Sequence, residues 1–198
     1  MIAVYLAGPD VFLPDPAGRA AALKSVCARH GLRGVSPLDA LDGGDPAGWA
    51  ALPEPLRIAR RNEAHIAACA GLIANLTPFR GPSADVGTVF ELGFMRALGR
   101  PVFGWSNAAQ PFAARTLGFL GEAAAPDGQG GWRDGEGLLV EAFTLPAGGA
   151  LADNLMVDGA VHASGGHLVV RDIRPASRWT DLAAFEHVVQ LAAAALVL

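Results

Sequence analysis

Residues 71–105 read GLIANLTPFRGPSADVGTVFELGFMRALGRPVFGW, and the fold can be worked outward from them. Gly71-Leu72-Ile73-Ala74-Asn75-Leu76 is a short apolar run that ends in a Thr-Pro turn, which predicts a buried strand. Asp85 then stands where a helix N-cap belongs. Val86, Val89, Phe90, Gly93, Phe94 and Ala97 follow at helical spacing and predict its buried side. Gly99 ends that helix, and Pro101 to Trp105 is the next apolar strand. Strand, helix and strand in this order form a βαβ unit, whose crossover makes the two strands parallel.

The same alternation extends toward the N-terminus. Ile2 to Leu6 predicts a strand opening into Ala7-Gly8-Pro9. Asp15-Pro16 supplies a cap and a first helical residue. Leu23, Val26, Cys27 and His30 follow at helical spacing, and Gly31 closes the helix. Leu32 to Val35 is a weaker strand, and a Gly/Pro/Asp loop runs from Pro37 to Pro53. A second helix spans about Glu54 to Cys69, with Leu56, Ala59, Glu63 and Ile66 along one side. Past the central unit, residues 121–152 carry two acidic/Gly clusters and predict an irregular excursion, not a separate domain. Leu168 to Arg171 predicts a final strand, and Thr180 caps a last helix bearing Leu182, Phe185, Val189 and Ala192. The expected fold is α/β: one domain over 1–198, doubly wound and flavodoxin- or Rossmann-like, with a mostly parallel five-stranded sheet covered on both faces.

Charge and motifs narrow the function. The net charge of −4 gives no basic footprint, so no nucleic-acid polymer is expected as partner. The apolar run from Leu191 to Leu198 is too short to span a bilayer, and no signal peptide is expected, so neither is a membrane partner. Cys27 and Cys69 read as buried free thiols of a reducing, cytoplasmic protein. His65, His162, His167 and His187 show no metal or triad spacing, and His30 reads as packed or capping. Neither a Gly-x-Gly-x-x-Gly fingerprint nor a Gly-Lys-Ser/Thr P-loop is present. No metal and no cofactor are expected.

In open parallel sheets, ligands bind beyond the carboxyl ends of the strands. Three turn-rich loops are expected there: Ala7 to Leu13, Thr77 to Ala84, and Ser106 onward. Asp85-Val86-Gly87-Thr88-Val89-Phe90-Glu91 is the most informative stretch. Gly87 lets the first turn approach a ligand closely. Glu91 lies in the second turn, where the helix dipole favours a carboxylate by ~0.3–1 kcal/mol. Spacing alone leaves Glu91 either a solvated helix residue or a site carboxylate.

Taken together, Tyr5-Leu6-Ala7-Gly8-Pro9 with Val11-Phe12, Asn75-Leu76-Thr77-Pro78-Phe79-Arg80-Gly81, Asp85 through Gly93, and Leu98-Gly99-Arg100-Pro101-Val102 resemble the nucleoside 2-deoxyribosyltransferase family. Asp153-Asn154-Leu155-Met156-Val157-Asp158-Gly159 looks like that family's Asn-Leu-Met segment. The resemblance implies transfer of 2-deoxyribose between nucleobases, through a covalent deoxyribosyl ester on Glu91. It implies Tyr5 as the residue holding that carboxylate, Asp85 as acceptor from the sugar 5′-hydroxyl, and Phe12 stacked on the base. Gly8 and Gly87 would line the substrate, and Asn62 would contact the base. Asn cannot donate a proton as an acid, so the group protonating the leaving base stays open. Asn154 would reach the nucleophile of the neighbouring subunit, which implies a homo-oligomer, a dimer or higher. The implied partners are a 2′-deoxynucleoside and a free nucleobase. Two alternatives remain at this stage: an N-glycosidase of deoxynucleoside 5′-monophosphates, and a non-catalytic nucleoside-binding module. Trp132-Arg133-Asp134 reads equally as a substrate lid or a subunit contact.

Overall fold

In the computed structural model, residues 1–145 and 149–196 are described. Residues 146–148 of the excursion and 197–198 of the C-terminal apolar run lie outside the described residues. In chain order the strands are β1 (Ile2–Ala7), β2 (Leu32–Val35), β3 (Gly71–Asn75), β4 (Val102–Ser106), β5 (Ala125–Pro126), β6 (Trp132–Arg133) and β7 (Leu168–Val170). The α-helices are α1 (Pro16–Arg29), α2 (Glu54–Ala68), α3 (Val86–Ala97), α4 (Phe112–Leu120), α5 (Leu155–Ala163) and α6 (Ala183–Leu196).

Alternation along β1 decides which helices pack where. Successive strand side chains point to opposite faces. Val4 and Leu6 join a cluster with Leu23 and Val26 of α1 and Phe185 and Val188 of α6. Tyr5 and Ala7 join another, with Ile66 of α2, Leu92 and Met95 of α3, and Val157 and Val161 of α5. Burying each such side chain is worth about 1.5–3 kcal/mol, so the sheet is held from both sides. The five strands run parallel in the order β2-β1-β3-β4-β7. This is the flavodoxin-like order, which reverses between β1 and β3 and opens a crevice at their carboxyl ends. The expected α/β class and five-stranded sheet are both present.

Several local expectations need correction. The buried side of α3 is Thr88, Leu92 and Met95, while Val86 and Phe90 are 83% and 60% exposed and Gly93 and Ala97 are exposed too. The helix is apolar on two sides: of the expected residues only Val89 and Phe94 pack against the core, and the rest point away from the sheet. On α2 the expected line holds only at Ile66: Leu56, Ala59 and Glu63 are exposed, and His65 is buried beside Ile66. The cap of α6 falls one residue later than Thr180. Asp181 accepts the Ala183 N–H at 2.8 Å, while the Thr180 hydroxyl donates to the Ser177 carbonyl.

The excursion is more ordered than its composition suggests. β5 and β6 pair antiparallel, and the two acidic/Gly clusters form turns. Asp127 accepts from the Gln129 and Gly131 amides, and Asp134 from those of Glu136 and Leu138. Helices α4 and α5 are additions to the pattern read from the sequence. Pro111 and Asn154 at their N-caps are the signals that mark them.

Candidate active site

β1 carries the fully buried Tyr5 toward the second helical layer. There its phenol donates a 2.8 Å hydrogen bond to Glu91 Oε1. From α2, Asn62 Nδ2 donates to the same oxygen at 3.3 Å. Both donors use Oε1, and Oε2 takes no hydrogen bond among the described residues. The carboxylate also fixes the orientation of the Asn62 amide, because the opposite flip would set oxygen against oxygen. Asn62 Oδ1 is left buried with no partner among the described residues, a free acceptor beside the carboxylate.

The electrostatics follow from this packing. Burial pushes the Glu91 carboxyl up to about 7; the Asp85 charge adds to the rise, and the Tyr5 and Asn62 hydrogen bonds oppose it. Burial, reinforced by the Glu91 charge, pushes the Tyr5 phenol far upward, so it remains a donor across the working pH range. Asp85 caps α3 through Oδ2, which accepts from the Thr88 N–H at 3.0 Å and the Thr88 hydroxyl at 3.1 Å. Its Oδ1 takes no hydrogen bond among the described residues. Gly87 sits in that first turn, where a Cβ would lie 3.1 Å from Asp85 Oδ2.

A pH profile is the direct check on these charges. If ionised Glu91 is the reactive form, kcat/KM should rise about tenfold per pH unit below about 7 and level off above it. Asp85→Asn removes a neighbouring negative charge and should move the inflection to lower pH. A profile flat through that range would break the link between Glu91 and turnover.

The loop after β1 is held from below. At Gly8 a Cβ would lie 2.6 Å from Asp10 Oδ2 and 2.7 Å from Asn75 Cβ, so no larger residue fits. Asp10 itself is buried, paired with Arg19 at 2.7 Å and accepting from Asn75 Nδ2 at 2.9 Å. Asn75 Oδ1 takes the Thr77 amide, and the Thr77 hydroxyl takes the Asn107 amide. This chain of bonds ties the carboxyl ends of β1, β3 and β4 together. Sequence reasoning gives Asp10 and Asn75 no role. Polar residues at the carboxyl ends of apolar strands are the signal that could have found them.

Phe12 is 56% exposed and stacks on Phe79 at 5.4 Å between ring centroids. The Arg80 guanidinium lies over both rings, 4.5 Å from that of Phe79 and 5.2 Å from that of Phe12. Asn154 makes no hydrogen bond to Glu91 within one chain. It caps α5 by accepting the Met156 N–H at 2.9 Å, and its Nδ2 donates to Glu141 at 2.6 Å. The structure therefore gathers Tyr5, Asn62, Asp85 and Glu91. It sets Gly8, Phe12 and Gly87 on the adjoining loops and turn, and leaves Asn154 outside the group within one chain. His30 caps α1 near Glu186, and the buried His65 contacts the Asp39 carbonyl. Among the described residues no group of His, Cys, Asp and Glu could hold a metal, and no helix is long and apolar enough to cross a membrane.

Comparison with known proteins places this arrangement. An uncharacterized protein of Schizosaccharomyces pombe is 32% identical over 84% of this chain and 80% of its own length. A solved 2-desoxiribosyltransferase from Leishmania mexicana is 28% identical, covers 96% of this chain and 98% of its own, and superposes with a TM-score of 0.59. A conserved protein of Enterococcus faecalis V583, 21% identical, shares the fold over 86% of this chain and 91% of its own at a TM-score of 0.51. The sequence model for nucleoside 2-deoxyribosyltransferase matches residues 4–156, a span that holds Tyr5, Asn62, Asp85, Glu91 and Asn154. By fold, site and sequence, the chain belongs to the nucleoside 2-deoxyribosyltransferase family.

Proposed function

We propose that this protein transfers 2-deoxyribose between nucleobases, cleaving the N-glycosidic bond of a 2′-deoxynucleoside through a covalent ester on Glu91. The observation that carries this reading is the Glu91 carboxylate, buried and held at one oxygen by Tyr5 and Asn62. Oε2 is then the attacking atom. It bonds to C1′ as the C1′–N bond breaks, and the base leaves with that electron pair and takes up a proton. A second base attacks C1′ from the vacated face and expels the carboxylate, giving net retention. A 2-deoxy sugar suits this path, because no 2-hydroxyl withdraws electrons from the developing cation. Oδ1 of Asp85 accepts from the sugar 5′-hydroxyl, and the free Oδ1 of Asn62 accepts from a donor on the base. Phe12, Gly8 and Gly87 form the walls. No cofactor or metal takes part in this scheme. The reaction runs within one domain, in the cytoplasm.

The working unit is a homo-oligomer in which Asn154 serves the neighbouring chain's Glu91. Supporting this, the exposed apolar side of α3 lacks a cover among the described residues. Val86 and Phe90 project from it, with Phe94 stacked on Phe90 at 6.4 Å, and Met156 beside Asn154 is 70% exposed.

Product analysis tests the reaction. With deoxyinosine and adenine, new deoxyadenosine is expected. Free deoxyribose alone would mean hydrolysis, and binding without turnover would mean a sensor. Asp85 bears on the choice of nucleoside over nucleotide. A 5′-phosphate carries about −1.5 to −2 charge. At ~4 Å, each unit pair of like charges repels by roughly 4 kcal/mol at an effective dielectric of 20. That exceeds the gain from one hydrogen bond, about 1 kcal/mol. Wild type should therefore prefer deoxyadenosine to its 5′-monophosphate in kcat/KM, and Asp85→Ser should shift toward the nucleotide. A wild-type preference for the monophosphate would overturn this assignment.

A further inference from the structure

A cavity of about 750 Å³ opens at the carboxyl ends of β4 and β7. It is bordered by Arg80, Arg115, Arg174, Arg178 and one carboxylate, Asp172. Arg115 is already committed. Its guanidinium donates to the carbonyls of Pro82, Gln110 and Ala152 and lies 3.7 Å from the Asp153 carboxylate. The other three arginines make no ion pair among the described residues. Arg178 goes further: its Nε is buried without any hydrogen-bond partner among them. The Arg178 backbone is fixed at the same time, since its carbonyl accepts from Asn107 Nδ2 at 2.8 Å.

Three guanidinium groups without a carboxylate partner among the described residues, one of them (Arg80) resting on the Phe79 and Phe12 rings, are unexpected around one cavity in a chain of net charge −4. They repel one another unless an anion joins them; a planar N–H fork matches carboxylate and phosphate alike, and several guanidinium groups together favour the more highly charged phosphate. The cavity meets the Glu91 site only at Arg80, whose guanidinium lies over Phe12, and none of its other lining residues belongs to that site. β4 lies two strands from β1 in the sheet, ~10 Å laterally, and no lining residue bonds to Glu91.

We propose that this cavity is a second binding site, specific for the phosphate group of a small phosphorylated molecule. Arg174 and Arg178 supply the fork through their guanidinium groups, and Arg80 completes the positive rim. The site does not depend on the reaction proposed for Glu91.

Calorimetric titration tests it, with orthophosphate and deoxyadenosine 5′-monophosphate as probes. Saturable binding is expected in wild type and, unchanged, in Glu91→Gln. Arg174→Glu, an exposed position, and Arg178→Ala should each weaken it at least tenfold while keeping the wild-type melting temperature within a few degrees. Tighter binding of the monophosphate that Arg174→Glu weakens would identify a nucleotide as the occupant, and equal binding would identify free phosphate, whereas monophosphate binding that Arg174→Glu and Arg178→Ala both leave unchanged belongs to the Glu91 pocket and counts against the site. The proposal is overturned if neither probe binds, if both arginine variants bind as wild type does, or if binding disappears in Glu91→Gln. Weakening by Arg174→Glu alone suffices to support the site should Arg178→Ala prove unstable.

Discussion

Glu91→Ala and Glu91→Gln should each abolish deoxyribosyl transfer while leaving the fold intact, the largest effect expected of any single change in this protein. Either removes the oxygen that bonds to C1′ and the charge that balances the developing oxocarbenium ion. Removing a covalent nucleophile costs on the order of 10⁴ or more in turnover. Glu91→Gln adds a second readout. Its Oε1 still accepts from Tyr5, but the buried charge is gone. The folded carboxyl sits near 7 against an ordinary 4.5, so the native state of the wild type binds its proton more tightly than the unfolded chain does. The wild type therefore loses stability as pH rises from about 4.5 to about 7, and the loss is complete above that. A tenfold difference in proton affinity corresponds to about 1.36 kcal/mol, so the penalty is at most about 3–4 kcal/mol before solvent screening. Glu91→Gln should accordingly melt higher than wild type at pH 8, with the difference vanishing near pH 4. Turnover of Glu91→Ala within tenfold of wild type would remove Glu91 from the mechanism. A sugar adduct trapped on Glu91 and seen by mass spectrometry would fix it there.

The second large effect concerns two dead proteins made active together. Glu91→Ala and Asn154→Ala should each be inactive alone if a site takes Glu91 from one chain and Asn154 from its neighbour. In a co-expressed mixture that forms two-fold dimers, about half the dimers are mixed, and each mixed dimer holds one intact site. About one quarter of wild-type activity is then expected. Co-expression without any recovery would refute sharing, as would a monomer that stays active at nanomolar concentration. The positions in one chain agree with this picture: the Asn154 amide is engaged with Met156 and Glu141, and none of its bonds reaches Glu91.

Much of this is legible in the sequence because the relevant signals are local. An apolar run that ends in Gly or Thr-Pro is a strand followed by a loop, and Asp85 and Asp15 cap helices where the sequence calls for a cap. The Tyr5–Glu91 contact spans 86 positions and came from resemblance, not from spacing. What spacing could not decide was which of two apolar sides of α3 meets the sheet, since both carry aliphatic or aromatic residues. The side that packs includes a threonine, Thr88, whose hydroxyl is satisfied by Asp85. The other side holds the larger apolar groups and waits for a second chain in the reading proposed here. Arg80 shows the same limit. Its backbone adopts a positive φ of 56° and sets its guanidinium on Phe79 and Phe12, a placement no local pattern encodes.

The excursion between α4 and α5 is tied off at its base. The Phe112 amide donates to the Leu151 carbonyl at 3.0 Å, and Arg115 holds the Ala152 carbonyl at 2.6 Å. The excursion beyond this closed neck, as far as it is described, leaves the geometry on either side nearly independent of its length. Closing a flexible loop costs only about 0.6 kcal/mol for each doubling of its length. The turns at 127–138 can accordingly be trimmed, or spliced with a foreign segment, while Glu141 keeps its bonds to Asn154 and to the Leu155 amide at the start of α5. They are the natural port of entry for fusing a reporter or an affinity module to the protein.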